Sequence, residues 1–286
     1  MADISKSTGT YFIQRHTLPI RIMHWINVLC FTVLLMSGLD IFNAHPALNL
    51  GKSSYNNQAP ILEMKAVYGQ HRELIGKTDI LGLQFNTTGL FGASAGPNGE
   101  NMQRGFPSWM TIPSTQWLSM ARRWHFFFAW AFVINGVCYL TYAFLTKHVQ
   151  RDLLTTHSER ATIWQSIKDH LHFKHATGDA ANRYNVLQKL TYLSVIFILL
   201  PLIILMGWAM SPFMDALIPG WVDLFGGRQS ARTIHFIVAW LLVGFVSIHV
   251  FEVIITGLWN NMRSMITGRY QIDSEQVSLD EKAPKS

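Results

Sequence analysis

The chain has 286 residues, 49% hydrophobic and 14% charged, with a formal net charge of +6. A soluble domain carries roughly 25% charged residues, so this deficit, together with 10 Trp and 18 Phe, argues for a membrane protein and against a soluble enzyme. The basic balance contains no Lys/Arg-rich run of the kind that tracks nucleic acid. Cys30 and Cys138 lie in apolar runs outside any CxxC or CxxCH motif. That argues against disulfide frameworks, zinc ribbons, iron–sulfur clusters and covalently attached haem.

Four stretches free of Asp, Glu, Lys and Arg occur at residues 22–39, 124–146, 190–214 and 233–251. Each is near or above the roughly 20 residues needed to span hydrocarbon. The expectation is an all-α integral membrane protein, a single domain over 1–286. Its four-helix bundle occupies residues 22–43, 122–146, 189–214 and 231–259. The first stretch is longer than the apolar region of a signal peptide and lacks an A-x-A-like cleavage site, so it reads as a retained helix. Pro201 falls inside the third stretch and is expected to kink it.

Between the first two helices, residues 44–121 form a long segment rich in Gly, Asn and Pro, with GASAGPNGEN as its most loop-like part. Its apolar pieces, 80–85 and 106–117, are too short to span and are expected to lie on the bundle or offer a docking surface. Residues 147–188 carry Lys147, Arg151, Arg160, Lys168, Lys174 and Arg183, whereas 215–231 carry Arg228 with Asp215 and Asp223. The positive-inside rule then places both termini in the cytoplasm and 44–121 outside, in a bacterial inner membrane. The tail 271–286 is polar and reads as disordered.

Four histidines lie in apolar helices, where an ionisable side chain is functional by default. His24, His125 and His235 each follow an arginine by three residues (Arg21, Arg122, Arg232), and His249 precedes Glu252 by three. His235 and His249 are 14 residues apart, which on an α-helix means about 21 Å of rise and roughly 40° of rotation: one face, opposite leaflets. Alternating helix direction then pairs His24 with His249 and His125 with His235. Two facing imidazoles at each of two depths is the requirement for two bis-histidine b haems, with both axial positions filled.

Arg21, Arg122 and Arg232 could meet haem propionates or simply snorkel at helix ends. Gly38 and Gly136 lie near the faces of His24 and His125, either making room for a macrocycle or allowing close helix packing. Glu252 is a candidate for proton transfer to or from a quinone, or else a helix-end carboxylate. Asn27 is its candidate companion as a hydrogen-bonding neighbour of His24. His170, His172 and His175 in HLHFKH read as solvated, and no role is assigned to His45 or His71.

The elements RIMHW, RRWHFFFAW, ARTIH and SIHVFE resemble the bacterial transmembrane cytochrome b family that anchors nickel–iron hydrogenases, formate dehydrogenases and thiosulfate-reductase-like enzymes. That resemblance implies two b haems on His24, His125, His235 and His249, with a quinone reacting beside the cytoplasmic one. The segment containing IFNAHPAL and FPSWMTIP is similar to a branch paired with a molybdopterin-dependent oxidoreductase of the sulfite-oxidase type, while its length departs from the hydrogenase pattern. The functional expectation is electron transfer between the quinone pool and an extracytoplasmic redox subunit, with lipid as solvent, no nucleic acid, and a homodimer left open. A stand-alone quinone-coupled haem enzyme such as a superoxide oxidase is the alternative. A transporter with buried histidines and a non-haem metalloenzyme are more distant ones.

Overall fold

In the computed structural model, residues 10–54, 59–146 and 186–273 are described. Four helices are long and apolar enough to cross a membrane: Leu18–Asn43, Leu118–Leu145, Leu190–Ala209 and Arg228–Ile255. In chain order the elements are β1 (Thr10–Gln14), α1 (Leu18–Asn43), β2 (Ala47–Leu48), β3 (Leu62–Tyr68), β4 (Leu74–Ile80), β5 (Leu83–Asn86), β6 (Gly92–Ala95), β7 (Asn101–Arg104) and α2 (Leu118–Leu145). There follow α3 (Val186–Ser194), a π-helical turn (Val195–Leu199), α4 (Leu200–Ala209), α5 (Pro212–Leu217), α6 (Arg228–Ile255), α7 (Leu258–Thr267) and β8 (Arg269–Asp273).

The all-α expectation is therefore too simple. Within 44–121, β2, β3, β4 and β5 form an antiparallel sheet in that order and β6–β7 form a hairpin. The reason is legible in β3, whose LEMKAVY alternates outward charge with apolar positions, as a one-sided strand does. Met64 is buried opposite buried Thr78 of β4. GASAGPNGEN is half strand and half turn: Gly92–Ala95 is strand β6, which pairs with Asn101–Arg104 across the turn 96–100. Gly92 is required there because a Cβ would lie 2.5 Å from the Lys65 carbonyl oxygen, so β6 crosses β3 closer than any side chain permits.

The chain divides into two compact units. One comprises residues 25–136 and 200–243. Its core gathers Leu39 and Phe42 of α1 with Leu48, Met64 and Phe106, to which Phe236 of α6 adds. Asn43, in the last turn of α1, clasps Phe106: its Nδ2 donates to the Phe106 carbonyl (3.2 Å) and its Oδ1 accepts from the Phe106 amide (2.7 Å). The start of α6 is fastened by Gln229, whose amide donates to the Gly51 carbonyl, and by Thr233, whose hydroxyl donates to that of Asn49.

The other unit holds residues 1–24, 137–199 and 244–286, as far as they are described. Here β1 pairs antiparallel with β8, Tyr11 opposite Ile272. Residues 271–273 are thus strand, correcting the expectation of a disordered tail from 271; the rest of that tail lies outside the described residues, as do His170, His172 and His175. Helix α6 stops at Ile255 rather than continuing to 259, because Gly257 at φ 110° breaks it before α7 begins. The third apolar stretch is interrupted at Val195–Leu199. Pro201 has no N–H to return to the carbonyl four residues back, and the wider turn preceding it accommodates that loss. This stretch ends at Ala209, after which Pro212 opens the separate short α5.

Candidate functional site

The second turn of α2 carries His125, and the second turn of α6 carries His235. Their ring centroids lie 6.2 Å apart, with planes at 61°. In the other unit, His24 of α1 and His249 of α6 have centroids 6.5 Å apart and planes at 60°. A metal between two imidazoles at about 2.0–2.1 Å from each nitrogen, with each nitrogen roughly 1.1 Å from its ring centre given ring bonds near 1.33 Å, separates the centroids by about 6.4 Å. Both pairs meet that spacing.

Tautomers follow from the partners. Ser37 Oγ donates its one hydrogen to the Val33 carbonyl (2.6 Å), so towards His125 Nδ1, 3.1 Å away, it acts as acceptor. His235 Nδ1 lies 2.9 Å from the Ile203 carbonyl, which can only accept. Both Nδ1 atoms therefore carry the proton, leaving each Nε2 lone pair for a metal, the arrangement in which outer partners orient a ligating histidine. Neither Ser37 nor Ile203 stands out in the sequence, because serine back-bonding and a backbone carbonyl leave no motif. Phe245 stacks on His249 at 6.1 Å and 18°.

Room around the rings comes from glycines. A Cβ on Gly38 would lie 3.3 Å from His125 Cε1, and one on Gly207 3.6 Å from His235 Cε1. Gly207 went unnoticed in the sequence, because no histidine on its own helix marks it. At Gly136 a Cβ would meet nothing within 4 Å.

The arginines are differently placed. The Arg21 guanidinium donates to the Ile266 carbonyl, and its Nε is buried with no hydrogen-bond partner among the described residues. Arg232 donates to the His45 carbonyl. Arg122 is exposed and lies over the Phe126 ring at 5.5 Å. Glu252 is within electrostatic reach of His249. Asn27 Oδ1 accepts from Asn135 Nδ2 (2.7 Å), a buried amide on α2 that the sequence did not single out. His45 is exposed, and His71 gives its backbone N–H to Glu73.

Among the described residues, no group of three or more His, Cys, Asp or Glu gathers to hold a metal ion. Each histidine pair offers two nitrogens, which is the number of protein ligands that an iron held in a macrocycle takes. Both pairs fit haem on this chemistry, and the open space beside Gly136 and the unpartnered Arg21 Nε are compatible with it. A family profile described as prokaryotic cytochrome b561 matches residues 15–268. The chain belongs to this family.

This cytochrome is thus a membrane haem protein of electron transport. Over 134 residues it is 32% identical to a putative protein-methionine-sulfoxide reductase subunit, YedZ1, of Azospira oryzae. The alignment covers 47% of this chain and 65% of that relative, so the chain spans about two-thirds of the relative's length. No solved structure matches it.

Proposed function

We propose that this cytochrome carries two b haems, one on His24 and His249 and one on His125 and His235, and passes electrons between the quinone pool and a redox subunit outside the cytoplasm. The observation that carries this reading is the pair of centroid separations, 6.5 and 6.2 Å, against the about 6.4 Å that a shared metal needs. Haem held between these histidines would supply reversible one-electron chemistry.

The chain's own residues supply the rest. Ser37 and the Ile203 carbonyl hold the rings of His125 and His235 in the ligating tautomer. Gly38 and Gly207 keep the flanks of those rings free of side chains. Arg21, with its unpartnered Nε, is a donor for a propionate three residues before His24. Glu252, one turn beyond His249, takes up a proton released when a quinol is oxidised. Both termini lie in the cytoplasm of a bacterial inner membrane, by the distribution of Lys and Arg.

The partner is read as a molybdopterin-dependent oxidoreductase. The similarity to a chain named as a reductase subunit supports a partner enzyme, as does the folded sheet segment between α1 and α2. The test is a reduced-minus-oxidised visible spectrum with pyridine haemochrome extraction. About two low-spin b haems per chain are expected, falling to about one in His125→Ala and in His249→Ala. A haem-free protein from haem-replete cells overturns the reading.

A further inference from the structure

Helix α7 has its polarity reversed with respect to a helix packed on a soluble core. Its polar side faces protein. Asn260 brackets Gln271 of β8, donating from Nδ2 to its carbonyl (2.8 Å) and accepting its amide at Oδ1 (2.9 Å). Ser264 is buried, and Arg263 bonds the Gln271 side chain while lying over the Phe12 ring at 5.6 Å. The apolar side faces outward. Trp259 is 82% exposed and Ile266 61%, and with Leu258 and Met262 they line a groove edged by Arg263. Leu258, Met262 and Ile266 recur every four residues, one stripe of a helix.

Two observations identify what covers this stripe. It continues the exposed apolar surface of α6, whose last turn presents Ile254 and Ile255 just before Gly257 turns the chain into α7. The surroundings are also net basic: residues 10–24 contain Arg15 and Arg21, and residues 258–273 contain Arg263 and Arg269 against the single carboxylate of Asp273 at the end of β8. An apolar stripe flanked by cations, joined directly to a membrane-spanning helix, has the makeup of a helix lying in the bilayer interface.

We infer that α7 is an interfacial helix seated on anionic phospholipid, with Leu258, Trp259, Met262 and Ile266 at the acyl boundary and Arg263 and Arg269 against headgroup phosphates. The seat has a consequence for the histidine site in the same unit. The Ile266 carbonyl accepts from the Arg21 guanidinium, one turn before His24, so a helix held on lipid also holds that turn of α1.

The test uses the full chain in lipid nanodiscs, with Cys30 and Cys138 replaced by serine and a nitroxide label on Trp259→Cys, Ile266→Cys or, as a water-exposed reference, Tyr68→Cys. Power-saturation EPR compares accessibility to oxygen, which concentrates in lipid, with that to a water-soluble nickel complex. Labels at 259 and 266 are expected to report the lipid boundary and the label at 68 water. Adding phosphatidylglycerol to phosphatidylcholine should move the first two deeper, and Arg263→Gln/Arg269→Gln should abolish that movement. Three outcomes overturn the inference: nickel-accessible labels at 259 and 266, meaning water; labels shielded from both reagents, meaning a protein partner or second copy; and a depth indifferent to phosphatidylglycerol. None depends on haem content, so failure here leaves the haem reading standing.

Discussion

Ser37 of α1 accepts a hydrogen bond from His125 of α2, 3.1 Å away, because its own hydrogen is already given to the Val33 carbonyl. The bond decides which imidazole nitrogen stays free. Removing it costs about 1 kcal/mol as a hydrogen bond, and loss of such an outer partner typically weakens metal affinity by roughly 10–100-fold. Ser37→Ala should therefore keep its helical content but release one of its haems at least about tenfold faster to a scavenging apoprotein. Unchanged release would mean that the hydroxyl does not orient His125.

The glycines make a sharper steric test. Gly38→Leu must push against a ring only 3.3 Å from its Cβ, so His125 should be displaced and haem per chain should fall from about two to about one. Among the described residues nothing lies within 4 Å of the Cβ that Gly136→Leu would add. If a macrocycle fills that space, haem falls there too, by the same extraction assay. Full haem content in Gly136→Leu would show that the space beside Gly136 belongs to lipid.

The helices were readable because a charge-free run near 20 residues has few other uses, and the histidine pairs because helical rise and direction set their depths. The segment 44–121 was misread for a specific reason. Its glycines, such as Gly76 and Gly92, look like loop residues, yet they let backbone cross backbone, with a Cβ at either position falling within 2.5 Å of a carbonyl oxygen. Composition cannot separate those two uses of glycine, whereas the alternation in LEMKAVY could have. The bond from Asn135 to Asn27 joins residues 108 positions apart on two helices, beyond the reach of local pattern.

Arg104 anchors the sheet segment. It is 1% exposed, and it donates to the Phe106 carbonyl, the Ser114 carbonyl and Thr111 Oγ1 at 2.6, 3.0 and 3.0 Å. The Asp40 carboxylate, also 1% exposed, lies within its electrostatic reach. Arg104→Met should cost about 1–3 kcal/mol, because it leaves three acceptors without their donor. Asp40→Asn/Arg104→Met should recover part of that loss. Hydrogen exchange across 44–121 measures both variants, and equal protection in Arg104→Met and the parent would remove Arg104 from the anchor.

His45, outside the membrane spans and exposed, has its pKa held below the ordinary value, mainly by partial desolvation of its ring and secondly by Arg232, against an opposing pull from Glu63. The unfolded chain therefore takes up this proton at higher pH than the folded one. Stability is unaffected above about 6.5, the ordinary histidine value, and falls as the pH drops from there towards the folded-state value. The protection factors of the sheet segment, each taken against the intrinsic exchange rate at that pH, should accordingly be lower at about pH 5.5 than at about pH 7.5, and His45→Gln should flatten part of that slope. An identical slope in His45→Gln would assign it to other groups.

Glu252 tests the proton side of the proposed reaction. It lies one turn beyond His249 and within its electrostatic reach. Glu252→Gln preserves size and hydrogen bonding but removes the proton acceptor. A general base of this kind contributes roughly 10²–10⁴-fold, so quinol-driven haem reduction should slow by that order. Dithionite reduction and the low-spin spectrum should stay as in the parent, since neither needs the carboxylate. If quinol-driven reduction is undiminished, Glu252 is a helix-end carboxylate and the proton leaves by another group.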